Sequence, residues 1–157
     1  MIEDPKFKTN IQGAISAGLK VGVYFFTQAV DEREAVEEAS MVLGLIAKYQ
    51  ITYPVFLDVE SSGGRADGIS KDVRTAVCKA FCQTIQNGGY TAGIYANKTW
   101  FTEKINTSQL SAYKIWLAQY AATPTYSGRY DMWQYSSKGK VSGISGNVDM
   151  NLSYMGY

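Results

Sequence analysis

Hydrophobic positions recur at helical spacing in some stretches and crowd together in others, and the two kinds of stretch take turns along the chain. Asp4-Pro5 reads as an N-cap followed by proline at the first helical position. Phe7, Ile11 and Ala14 follow at helical spacing, and Gly18 closes the segment. LKVGVYFF (19–26) reads as a strand. Asp31 and Glu34 form a capping-box pair ahead of the stripe Val36, Ala39, Leu43 and Ile46, which runs on to Tyr49. PVFLDVE (54–60) is the next strand. Ser70 can cap a helix with Val73, Val77, Phe81 and Ile85 on its buried face, ended by Gly88-Gly89. TAGIYAN (91–97) reads as a strand, and Trp100 to Lys104 as a short helix. KIWLAQY (114–120), YDMWQYS (130–136) and NVDMNLSY (147–154) are three more strands with little helix between them.

Alternation of this kind predicts an α/β fold of parallel βα units in one domain, residues 1–157. An open doubly wound sheet and a barrel both satisfy it. With no G-x-G-x-x-G and no P-loop, the nucleotide-binding version has no support. In a parallel βα barrel the functional residues gather at the C-terminal ends of the strands. Six strand ends carry polar or aromatic groups: Tyr24, Asp58 with Glu60, Tyr95 with Asn97, Gln119 with Tyr120, Gln134, and Asp149. Together they predict one rim.

Composition narrows the chemistry more than the fold. A chain of 157 residues, 46% hydrophobic, can bury a sizeable core. A net charge of +1 gives no footprint for nucleic acid. No apolar run approaches the ~20 residues of a membrane span. MIEDPKFKTN has no apolar segment and is no signal peptide, so the chain stays inside, leaves by another route, or lacks the front of a longer protein. Histidine is absent, which excludes Ser-His and Cys-His nucleophiles and His-based zinc sites. Cys78 and Cys82, four apart on a helix, are poorly placed for a disulfide and read as reduced, half-buried thiols. Twelve tyrosines suit a sugar cleft, and equally a Tyr-rich core.

The informative stretch is PVFLDVE. Residues two apart on a strand share a face, so Asp58 and Glu60 point the same way with Cα atoms roughly 6.6 Å apart, at about 3.3 Å per residue. Side-chain rotation spans the carboxyl separations of both retaining and inverting glycosidases. One carboxyl must hold a proton for the leaving oxygen, and a close second carboxylate raises its pKa. Glu60 is expected to be the acid, being farther out and longer. Asp58, one layer deeper, is expected to stay ionised. A strand-end salt bridge or a helix cap is the plain structural alternative, and Mg²⁺ held by Asp58, Glu60 and Asp149 is the other.

The ordered set DPKFKTNIQGAISAGLKVGVYFF, PVFLDVE, GGYTAGIYAN, IWLAQY, MWQYSS and VDMNLSY resembles glycoside hydrolase family 25, the lysozymes that cleave bacterial wall glycan. The resemblance implies a parallel βα barrel of the glycosidase type and a β-1,4-N-acetylmuramidase that acts on peptidoglycan glycan strands outside the cell or at its wall. It implies Glu60 as general acid, Asp58 as the group assisting the intermediate, and Asp149, Tyr24, Tyr95, Trp116 and Gln134 as sugar contacts. No cofactor, metal, nucleic acid or membrane enters that chemistry. A catalytically inactive glycan-binding relative and a chitinase-like hydrolase, which also uses D-x-E, are the alternatives. Two opening strands of the family pattern, one with a G-I-D-V-S-like motif and one like F-V-I-I-R-A-G, have no counterpart before Met1. The expectation is therefore an incomplete barrel of about six strands with weak or undetectable lytic activity. Its first strand would have a bare edge, so that either two chains pair edge to edge as a homodimer or the sheet stays open.

Overall fold

The two hydrophobic periods sort the chain into a curled sheet with its main helices on one face. A computed structural model describes residues 1–156. In chain order the elements are α1 (Phe7–Ser16), β1 (Val23–Phe26), α2 (Glu32–Ile46), β2 (Val55–Asp58), α3 (Lys71–Asn87), β3 (Ala92–Asn97), α4 (Lys98–Glu103), β4 (Lys114–Ala118), β5 (Met132–Gly139) and β6 (Val148–Ser153). The order of strands in the sheet is the order in the chain, with β1 and β6 as the edges among the described residues.

Strands β1 to β5 are parallel, as expected, but β6 runs antiparallel to β5. Residues 140–147 between them are too few for the crossover that a parallel pair needs. Gly143 and Gly146 (φ 92° and 97°) turn the chain back there, in backbone conformations that other residues rarely adopt. The sheet curls strongly enough that the Tyr53 hydroxyl, just before β2, donates to Ser153 Oγ at the end of β6, 2.5 Å away.

Local signals explain most of the element ends. The Asp31 carboxylate accepts from Glu34 N (2.8 Å), and Glu34 reaches back to Val30 N (3.0 Å), one residue ahead of the cap. Ser70 Oγ accepts from Val73 N (3.2 Å). The first helix starts later than Pro5: Asp4 instead forms a lead-in turn, its side chain accepting from Lys6 N and its carbonyl from Phe7 N. Residues 19–22 stay outside the ladder, because Val21 bonds to the 52–53 turn. In α2 the buried side is Ala35, Glu38, Ala39, Val42 and Ile46, with Val36 exposed, so that face is rotated from the expected stripe.

The core lies between the helices and the outer face of the sheet. Val55, Leu57, Ala92, Ile94, Leu117 and Trp133 share it with Val42, Ile46, Val77, Phe81 and Ile85. Burial of each large side chain contributes roughly 1.5–3 kcal/mol. Cys78 and Cys82 belong to this core, fully rather than half buried, and are free thiols. Burial pushes the Cys78 thiol up to about 12 and Cys82 up as well, which leaves both inert.

Candidate active site

The other face of the sheet carries the chemistry. Register partners stand side by side on one face. Phe26, Asp58, Tyr95, Trp116 and Met132 form one line across five strands, and Asn97, Ala118, Gln134 and Asn151 form the next. Trp116 is the centre of this face. Its ring meets Tyr95, Phe56 and Tyr24 at centroid distances of 4.7, 5.1 and 6.5 Å, and its Nε1 donates to Asn151 Oδ1 at 2.8 Å. Gly93 makes this packing fit, since a Cβ there would lie 2.5 Å from Phe56 Cε1. The hydroxyls of Tyr95 and Tyr120 both donate to Gln134 Oε1, at 2.8 and 2.9 Å, which fixes a buried amide at the mouth of the groove.

Asp58 ends β2 and is 7% exposed, whereas Glu60 is exposed. The strand end is held on both sides by Thr27 N donating to Asp58 O (3.1 Å) and Val59 N donating to Tyr95 O (2.9 Å). Asp58 Oδ1 has no hydrogen-bond partner. Burial, then the charge of Glu60, then a hydrogen bond to Glu60 push the Asp58 carboxyl up to about 8. Asp58 therefore keeps its proton near neutrality. This corrects the expectation of an ionised Asp58: the deeper carboxyl is the drier one, and dryness favours the neutral form.

The remaining expected residues divide. Tyr24 sits on the edge strand, 63% exposed, and its phenol is raised by partial loss of water and then by the fields of Asp58 and Asp149. Asp149 is the second residue of β6, and the reversed direction of that strand carries it to the rim. Asn97 and Gln119 serve local structure instead. Asn97 Oδ1 accepts from Trp100 N as the cap of α4 (2.8 Å), and Gln119 Oε1 accepts from Thr125 N (2.9 Å). Tyr120, one of the expected rim positions, joins the site through Gln134, and Phe56 and Asn151 join it without having been singled out as its members. Phe56 and Asn151 each stand two residues from an expected acid, and that spacing was the available signal.

The loop after Glu60 is tightly tied. The Asp67 carboxylate accepts from the Ser61 hydroxyl (2.7 Å), Ser62 N (3.0 Å) and Gly63 N (3.1 Å), and these bonds hold it down at about 2. Arg65 pairs with Glu34 at 2.5 Å. Among the described residues no three Asp, Glu or Cys side chains converge as metal ligands, so Asp58, Glu60 and Asp149 do not gather as the magnesium alternative requires. No helix of the described residues is long and apolar enough to cross a membrane. A carboxyl that keeps its proton near neutrality, a second carboxyl beside it and an aromatic wall are the means for acid-catalysed cleavage of a sugar acetal.

Known proteins have the same arrangement of elements. The sequence model for Glycosyl hydrolases family 25 matches residues 1–144. The autolytic lysozyme of Clostridium acetobutylicum is 30% identical over 150 residues, covering 94% of this chain and 44% of the relative. The autolysin LytC of Streptococcus pneumoniae, solved with a synthetic peptidoglycan ligand, superposes with a TM-score of 0.82 at 26% identity, over 96% of this chain and 37% of that one. The CTP1L endolysin superposes with a TM-score of 0.82 at 30% identity, over 98% of this chain and 54% of that one. The chain spans about half the length of the curated relatives it matches.

Proposed function

The chain belongs to glycosyl hydrolases family 25, and from that premise we propose that it is a peptidoglycan hydrolase whose acid is Glu60, supported by Asp58. The specific bond is the β-1,4 link between N-acetylmuramic acid and N-acetylglucosamine, and the place of action is the cell wall. One observation carries this reading: two carboxyls two residues apart at the end of a strand, the inner one buried, beside the aromatic rings of the same sheet face.

The proton starts on Asp58. A sugar chain lying over the groove strips water from Glu60, and the proton passes along the hydrogen bond to the outer carboxyl. Glu60 then gives it to the glycosidic oxygen as the bond from that oxygen to C1 breaks. Asp58, now ionised, faces the positive charge growing at C1, either directly or by orienting the substrate's acetamido group. Water adds its hydroxyl to C1 and returns a proton to the pair. The same transfer thus arms the acid and creates the stabilising charge. Trp116, Tyr24, Tyr95, Gln134 and Asp149 present the rings and polar groups that hold the glycan.

Replacing Glu60 with Gln tests this. Release of reducing ends from purified peptidoglycan should fall at least ~100-fold, with the unfolding midpoint nearly unchanged. Cleavage that survives the substitution would remove Glu60 from the mechanism. Products ending in reducing N-acetylglucosamine would overturn the bond assignment.

A further inference from the structure

We propose that Arg74 is a positioning residue for the acid pair, acting on Glu60 through the loop of residues 61–68. It rests on the reading of Glu60 given above. Arg74 lies on α3 and is 2% exposed, yet none of the ion pairs among the described residues includes it. A buried guanidinium is costly unless its donors are satisfied. Here they go to backbone. Nη2 donates to the carbonyls of Ala66 and Asp67, both at 3.1 Å, and Nη1 donates to the Lys104 carbonyl at 3.3 Å. The Trp100 ring lies against the cation, 4.7 Å from its centroid.

These bonds form a chain that ends at the acid. Arg74 fixes the backbone of Asp67, and the Asp67 carboxylate gathers Ser61, Ser62 and Gly63, which directly follow Glu60. Arg74 and Glu60 also line the same small cavity, together with Thr27, Ala66 and Trp100. A helix-to-helix tie alone would need only the contact with Lys104 at the end of α4. Two donors spent on consecutive carbonyls of the loop set its position, and lysine, with a point charge and no planar fork, cannot hold both carbonyls and the α4 end in that geometry. With the loop fixed, Glu60 stays against Asp58, which is the condition for passing a proton between them.

The test compares Arg74→Lys with the unaltered protein by ¹³C-carboxyl NMR, a readout that needs no turnover. The Asp58 titration should fall by at least one pH unit in the variant, and the Ser62 and Gly63 amides should exchange about tenfold faster, while β2 amides are unchanged. Asp67→Ala breaks the next link of the chain, keeps Arg74, and should lower the Asp58 titration in the same way. It stands in if Arg74→Lys does not fold. On peptidoglycan, kcat should drop about tenfold with KM within twofold, as expected for a misplaced acid with intact sugar contacts. An Asp58 titration that stays put in the variants overturns the proposal, whatever happens to their melting temperatures. An inactive unaltered protein whose Asp58 titration still moves would count against the hydrolase reading and leave the positioning role standing.

Discussion

Replacing Asp58 with Asn should make the protein more stable in alkaline solution and leave it nearly unchanged in acid. The folded carboxyl titrates at about 8 against an ordinary 3.8, chiefly because it is buried. Between those two values the unfolded chain has released this proton and the folded chain has kept it. Stability therefore falls as pH rises through that window, by about 1.4 kcal/mol per pH unit at most. Over about four units the limit is on the order of 5 kcal/mol. Part of the shift comes from the charge of Glu60 rather than from burial, and the difference between the two proteins should reach ~2–4 kcal/mol by pH 9. Asparagine keeps the shape and carries no charge at any of these values. Glu38, whose carboxyl burial also raises, slopes the same way in both proteins and cancels in the comparison. Urea unfolding at pH 5, 7 and 9 measures the difference directly. Parallel curves, separated by a constant within about 0.5 kcal/mol across that range, would show that the ionised Asp58 is not penalised and would remove the basis for the stored proton.

Other perturbations probe the groove and its frame. Gly93→Ala should cost ~1–3 kcal/mol in denaturant unfolding, because the new Cβ would lie 2.5 Å from Phe56 Cε1 and 2.8 Å from the Lys114 carbonyl. Ser70→Ala should cost ~1 kcal/mol by removing the side-chain acceptor at the start of α3, with the Asp58 titration by NMR unchanged. Trp116→Phe keeps a ring in the groove and deletes the bond to Asn151. Binding of a soluble peptidoglycan fragment should weaken several-fold by calorimetry, and stability should drop ~1 kcal/mol.

The D-x-E strand, the capping residues Asp31 and Ser70, and six strands in order were all legible, because each depends on neighbours a few positions away. The direction of β6 was less so. Thirteen helix-free residues, 119–131, join β4 to β5 in parallel, whereas eight residues, 140–147, reverse the chain after β5. Only the second gap is too short for a crossover, and its glycines marked the turn. Asp58's proton could not be read from the strand, since it depends on burial by β1 and β3 on either side. Arg74 looked like one charge on a helix, and its partners Ala66, Asp67 and Lys104 come from two separate loops.

The matching of sheet order to chain order governs how the protein comes into being on the ribosome. Each newly emerged strand finds its partner already waiting, so the sheet can grow from one end during synthesis. The acids emerge at the end of β2, about ninety residues ahead of Asp149 and Asn151 on β6. A nascent chain thus carries its acids without the opposite bank of the groove until β6 has emerged.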